Sequence, residues 1–428
     1  MHKSTFILFL ICSIQVSIGQ VEDARMITEK LCSEEFFGRG YVNDGMQKAA
    51  FFLQKEFESY GLKPISQEFD YLQNYSYSVN TFPGEINVVY NERKLLPGIH
   101  YIVDPASPNS EKIIYCKVLD SIDFSDEEKL LQSIATIKSS KENGFLINSN
   151  NSSDKSATLN LAYQLSSIAP VVYLTKEKFT WSVSQYQLQN PIIFLQDSIL
   201  KQLKDEMNIS PFQVKIEADF IPNFQAPNVI GYLPSLRKKL FSKTIIFCAH
   251  YDHLGGMGNE TYFPGANDNA SGTAMICSLA KYFAINPSPK HNLLFIAFSG
   301  EEAGLIGSSY FVNNCPIKLN RIRIVLNLDI MGSGEEGITV VNATEYPKEF
   351  NKLVSINEKI KLLSIIKKRG VTQNSDHYPF HEKGIPSFFI YTMGQNKNYH
   401  DVFDNYDSLT FEAYDAILSL LKAFVAQI

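Results

Sequence analysis

Tryptophan, histidine and cysteine are scarce in this chain of 428 residues: it has one Trp (Trp181), eight His and six Cys. No two cysteines stand as a CxxC metal pair, and after loss of a leader an odd number would remain, so neither a zinc ribbon nor a disulfide framework is indicated. Free thiols, with at most one bridge, are the expectation for Cys32, Cys116, Cys248, Cys277 and Cys315. A basic excess is also missing. The net charge of −6 argues against a nucleic-acid partner or an anionic membrane surface. Beyond the N-terminus no apolar run approaches the roughly 18 residues of a membrane span, so stable membrane insertion is not expected. A Gly-x-Ser-x-Gly elbow is absent, which lowers the case for a serine hydrolase.

What is present begins with an export pattern. "MHKSTFILFLICSIQVSIGQ" carries Lys3, an apolar run from Phe6 to Ile14, and small residues Ser17 and Gly19 where a signal peptidase reads. The expectation is a cleaved leader over 1–19 and an exported protein. Residues 25–62 have apolar spacing of helical type, interrupted by "GRG", and strand-like alternation follows. From 85 to about 215 come short β-like runs with a few helical pieces and no chemical cluster, read as an inserted accessory domain, smaller and β-rich. From "APNVIGYL" onward, strands at 227–233, 244–250, 293–299, 322–329 and 385–391 alternate with helices at 271–284, 303–313, 346–360 and 410–426. That is an α/β pattern: a mixed, mostly parallel sheet covered by helices on both faces. The division expected is 20–84 and 216–428 for the main domain, with 85–215 inserted.

In such sheets chemistry collects beyond the carboxyl ends of the strands, and five of these positions carry unusual residues. "FCAHYDHLGG" puts His250 and Asp252 on one side of a strand, where a carboxylate can accept the second ring N–H of a ligating histidine. "GANDNASG" presents Asp268, whose two oxygens can bridge two ions. "FSGEEAGLIGS" ends an apolar strand in Glu301 and Glu302, so that one can bind a metal while the other faces a bound water. "VLNLDIMG" places Asp329 in an apolar strand, costly unless paired or metal-bound. "NKNYHDVFD" puts Tyr399 and His400 in the loop after the last strand. Each alone has a plain alternative: a core histidine, a capped turn, a solvated helix start or a polar loop. Together, two imidazoles and three carboxylates suit two borderline cations such as Zn2+, held about 3.5–4 Å apart.

The order "HYDHLGG…GANDNASG…FSGEEAGLIGS…NLDIMG…SDHYPF…YHDVFDNYDSL" resembles the exported co-catalytic di-zinc aminopeptidases, relatives of glutamate carboxypeptidase. The resemblance is strong over about 225–428, "FFGRG" is similar to the same family's N-terminal region, and the insert takes the place of a protease-associated domain that it matches only loosely. The resemblance implies a hydrolase acting on peptides with a free N-terminus, with two Zn2+ ions per chain. It implies His250 and Asp329 on one ion, Glu302 and His400 on the other, and Asp268 between them. It further implies Glu301 as general base toward a metal-bridging water, Asp252 orienting His250, Tyr399 donating to the tetrahedral oxyanion, and a cis peptide after Asp268. His253 has no assigned role, and Asp376 and His377 are expected near the cleft without being ligands. Two other readings stand beside the peptidase. Glutaminyl cyclases share the fold, but carry Trp before the last histidine where this chain has Tyr399, and they lack "DNASG". A binding protein on an inactive scaffold would be expected to have lost a ligand or the base.

Overall fold

The structure is a computed structural model that describes residues 21–66, 70–119, 127–137, 141–202, 209–236, 242–288 and 290–428. The expected leader lies outside these residues. Strand β1 (Leu72–Thr81) is followed by β2 (Ile86–Tyr90), β3 (Arg93–Lys94), β4 (Tyr101–Val103), β5 (Ser110–Ile114) and β6 (Cys116–Leu119). Next come β7 (Gly144–Asn148), β8 (Val171–Thr175), β9 (Ile192–Gln196) and β10 (Phe212–Ile216). The last seven are β11 (Asp219–Leu233), β12 (Thr244–His250), β13 (Asn292–Phe298), β14 (Ile322–Asp329), β15 (Gly337–Val341), β16 (Ile366–Lys368) and β17 (Ser387–Met393).

Eight strands form the central sheet in the order β1-β11-β13-β12-β14-β17-β15-β16. Its middle, β13-β12-β14-β17, is parallel, while β1, β11 and β15 join antiparallel, so the sheet is mixed as expected. Strand alternation sorts the side chains between two faces. Ile245, Phe247, Ala249, Phe295 and Leu326 meet helices Gly45–Ser59, Gly272–Ile285, Pro347–Ile360 and Tyr414–Gln427. Ile246, Cys248, Ile296, Phe298 and Val325 meet Phe311 and Phe380 of the short helices Ile306–Asn313 and Tyr378–Glu382. Burial of both faces explains why β12 reads as an unbroken apolar run.

Between β1 and β11 the chain leaves this sheet and builds two more. One is antiparallel, β3-β2-β10-β5; the other, β4-β9-β8-β7-β6, is parallel from β9 to β6 and carries helices Glu127–Ile137 and Lys155–Ser166. The insert is therefore β-rich but itself partly of α/β type. Its core, with Phe82, Val88, Tyr101, Val103 and Trp181, also takes in Leu254, Met257 and Phe263 from the loop after β12. Hydrogen bonds fix the same junction: Asn259 N–H donates to Gly84 O at 2.9 Å, and Val103 N–H to Met257 Sδ at 3.4 Å. All five cysteines among the described residues are free. Among the described residues no helix is long and apolar enough to cross a membrane.

Candidate metal centre

Register delivers the first two side chains. Strands β12 and β14 are parallel neighbours with Cys248 opposite Asn327, so two residues on, His250 and Asp329 leave the sheet side by side on the same face. His250 Nε2 stands 3.5 Å from Asp329 Oδ2. His250 Nδ1 is 3.1 Å from the Asp252 carbonyl oxygen and 3.8 Å from the Asp252 carboxylate. A carbonyl can only accept, so Nδ1 carries the proton and Nε2 is left to face Asp268 and Asp329. Asp252 therefore meets the imidazole chiefly through its backbone. Its carboxylate takes the N–H groups of Glu301 and Glu302 at 3.3 and 3.4 Å, holding the turn after β13.

Asp268 lies in Ala266–Ser271, just before helix Gly272–Ile285, and its peptide bond to Asn269 is cis. Asp404, Asn269 and Arg39 are among the side chains that hold this segment. The Asp404 carboxylate accepts from Asn267 N and Asp268 N at 2.9 and 3.0 Å. The amide of Asn269 donates to Leu328 O at 3.1 Å and accepts from Gly272 N at 3.0 Å. Arg39, fully buried, donates to the carbonyls of Leu31, Tyr251, Pro264, Gly265 and Asp268 at 2.6–3.4 Å. The "GRG" that interrupts the helical spacing is thus a backbone clamp. Gly265 has φ +58°, and a Cβ there would come within 2.3 Å of the His253 ring, so glycine is required.

The Asp268 oxygens point to different imidazoles: Oδ1 is 3.3 Å from His250 Nε2, and Oδ2 is 3.1 Å from His400 Nε2. His400 Nε2 is also 3.1 Å from Glu302 Oε2. The other Glu302 oxygen accepts from His253 Nδ1 at 2.7 Å, which gives the second histidine of "HYDH" a place that spacing could not assign. His400 Nδ1 donates to the Trp181 carbonyl at 3.0 Å. Asp329 Oδ2 accepts from Ser375 Oγ at 3.2 Å, and Ser375 in turn accepts from Asn327 Nδ2 at 2.7 Å. In "SDHYPF" it is therefore the serine that touches the cluster; Asp376 and His377 are fully buried beside it.

Glu301 and Tyr399 line a cleft of about 290 Å3 with His250, Asp268, Asp329 and His400. Tyr399, 46% exposed, stacks on His400 with ring centroids 3.9 Å apart. Nothing in sequence spacing singled out Arg39, Ser375, Asn269 or Asp404, because each acts on backbone or on a ligand's far side.

Four carboxylates around two imidazoles make a buried, electron-rich cluster. Burial together with Glu302, Asp376 and Asp329 raises the Glu301 carboxyl well above its usual range. Burial also raises Asp329. For the imidazoles burial works the other way, but Glu301 and Asp329 lift His250, and Glu302 and Asp268 lift His400 to about 11. Asp329 Oδ1 is buried with no hydrogen-bond partner among the described residues. Candidate ligand atoms lie within 4.8 Å of one another in three overlapping groups: His250, Asp268 and Asp329; His250, Glu301 and Glu302; and His253, Asp268 and Glu302. Such nitrogen and oxygen donors, an orphaned carboxylate oxygen and an excess of negative charge fit divalent cations of borderline softness.

Comparison with known proteins agrees with this picture. Residues 228–425 match peptidase family M28. The aminopeptidase YwaD of Bacillus subtilis is 29% identical over 273 residues, 60% of this chain and 56% of that protein. A probable leucine aminopeptidase of Trichophyton verrucosum is 30% identical over 183 residues, 40% of this chain and 47% of that one. The chain thus spans about half the length of these curated relatives. Among solved structures, a zinc aminopeptidase from Bacillus subtilis superposes with TM-score 0.68 at 19% identity over 94% of both chains. An aminopeptidase from an Aneurinibacillus species gives 0.62 at 21% identity, over 95% of this chain and 93% of that one. At that identity the likeness speaks for the fold. Motif order, sheet topology and sequence similarity converge on one resemblance: residues 228–425 match peptidase family M28.

Proposed function

We propose that this chain is an exported zinc-dependent aminopeptidase that hydrolyses the N-terminal residue from peptides. The observation that carries the reading is the division of Asp268, one oxygen toward His250 and the other toward His400, with Asp329 and Glu302 completing the two sides. His250 and Asp329 would hold one ion, His400 and Glu302 the other, with Asp268 shared; the curated relatives are named aminopeptidases and zinc metalloproteases, which supports zinc and favours hydrolysis over cyclisation. When bound, a zinc pair supplies Lewis acidity that polarises the scissile carbonyl and lowers the pKa of water.

The protein's own groups do the rest. Glu301 takes a proton from the attacking water and returns it to the leaving amine, a transfer worth typically 10²–10⁴-fold. The Tyr399 hydroxyl donates to the carbonyl oxygen as negative charge develops there. Asp252, His253, Ser375 and the Trp181 carbonyl keep the ligands in one orientation. Residues 20–84 and 216–428 form the catalytic domain and 85–215 the insert; export rests on the leader pattern of 1–19.

The test is release of the N-terminal residue from free and N-acetylated peptides, with and without chelator. Cleavage of free peptides alone, lost on chelation and restored by Zn2+, is the expected result. Full binding of metal with no cleavage of any peptide would sink the proposal.

A further inference from the structure

The insert reaches into the metal cluster at one point. Lys178 Nζ pairs with the Asp401 carboxylate and donates to Lys397 O at 2.7 Å. Trp181 N–H donates to His400 O at 2.8 Å, and His400 Nδ1–H donates back to Trp181 O at 3.0 Å. These bonds grip a residue that needs gripping: His400 has φ +53°, a left-handed conformation that a non-glycine residue keeps only when its surroundings enforce it. Trp181 itself is immobilised. Its indole is buried, stacks on Phe263 with centroids 4.7 Å apart, and donates from Nε1 to Val103 O at 2.7 Å.

We propose that Lys178 and Trp181 of the insert are positioning residues for His400, presenting its Nε2 to Asp268 and Glu302, and that they govern one of the two metal positions and not the other. This rests on the two-ion reading of the site. The argument for selectivity is where each ligand gets its support. His250 is oriented by Asp252 and Asp329 by Ser375, both within the main sheet and its loops. Among the described residues, of the two proposed histidine ligands only His400 takes its Nδ1 acceptor from the insert. A carbonyl there admits one neutral tautomer, with the lone pair on Nε2, and loss of such an acceptor typically costs 10–100-fold in metal affinity.

The experiment is Zn2+ titration of the metal-stripped whole chain against a competing chromophoric chelator, for wild type, Trp181→Phe, Trp181→Ala and Lys178→Met. Thermal unfolding is measured in parallel. Wild type should take two ions. Trp181→Ala keeps the carbonyl but removes the stack on Phe263 and the Nε1 bond to Val103 O that fix its position, and should weaken one ion by about tenfold and leave the other within about twofold. Trp181→Phe, which keeps a ring against Phe263 and loses only the Nε1 bond to Val103 O, should restore most of that affinity. Lys178→Met alters only a half-exposed side chain and should weaken the same ion by about tenfold, so the test stands if the alanine variant does not fold. Lys178→Met, or a folded Trp181→Ala, binding both ions as wild type does would overturn the proposal, as would equal weakening of both. A wild type that holds fewer than two ions would overturn the reading of the site itself, and that result is seen without any variant.

Discussion

His253 and Glu302 form a closed pair: His253 Nδ1 lies 2.7 Å from Glu302 Oε1, which leaves Oε2 facing His400. The pair decides which Glu302 oxygen is available as a ligand. His253→Ala should free the carboxylate to rotate and lower affinity for one Zn2+ by about 10–100-fold, with kcat/KM falling in step. Metal titration and peptide kinetics on the same preparation check this. Unchanged values for both would show that the Asp252 grip on the Glu302 backbone is sufficient by itself.

Glu301 lines the cleft and, in the ligand assignment proposed above, holds neither ion. Glu301→Gln should therefore keep the wild-type metal content, measured by atomic emission, while kcat falls by at least about 10²-fold. Retained activity would remove Glu301 from the reaction.

Without a cation, His250, His400, Glu301 and Asp329 all have pKa values pushed upward, and His400 sits near 11. With His400 raised to about 11, the cluster holds at least one proton at neutral pH when no cation is bound, and an entering cation must displace it. Zinc added to stripped protein at about pH 7 should acidify a weakly buffered solution, and apparent affinity should rise from about pH 6 to 8. A pH indicator reads the first and competition titration the second. Affinity that is flat over that range contradicts the assignment.

Arg39 donates to five carbonyls from a fully buried position. Arg39→Met keeps the bulk but strands those carbonyls, at about 1–3 kcal/mol for each one left unpaired. Denaturant unfolding should show a loss of several kcal/mol, with metal affinity reduced because Pro264, Gly265 and Asp268 are among the carbonyls released. Arg39→Lys should rescue little, since one ammonium cannot span the fork.

The parts of the molecule legible in its sequence are those set by local pattern. The span 244–250 reads as a strand because seven consecutive residues are buried on both sheet faces, and His250 and Asp329 can be paired because each ends such a run. Strand β15, Gly337–Val341, is not legible in the sequence: five residues between "GSGEE" and "NATEY" carry too short a period to announce themselves. The supports of the cluster were hidden for a different reason. Trp181 and His400 lie 219 residues apart and Arg39 and Asp268 lie 229 apart, and in both pairs the acceptor is backbone, which leaves no mark in residue type. The one tryptophan does stand next to the last histidine, as in the cyclase pattern, but it gets there from the insert and offers a carbonyl.

Leu254, Met257 and Phe263 belong to the loop between β12 and Asp268, yet all three are buried in the core of the insert. Excising residues 85–215 to obtain a smaller enzyme would return these side chains to water, at about 1.5–3 kcal/mol each. The two parts of the chain are tenants of one interior. They should melt as a single cooperative unit, and neither is a module that could be lifted out and grafted elsewhere.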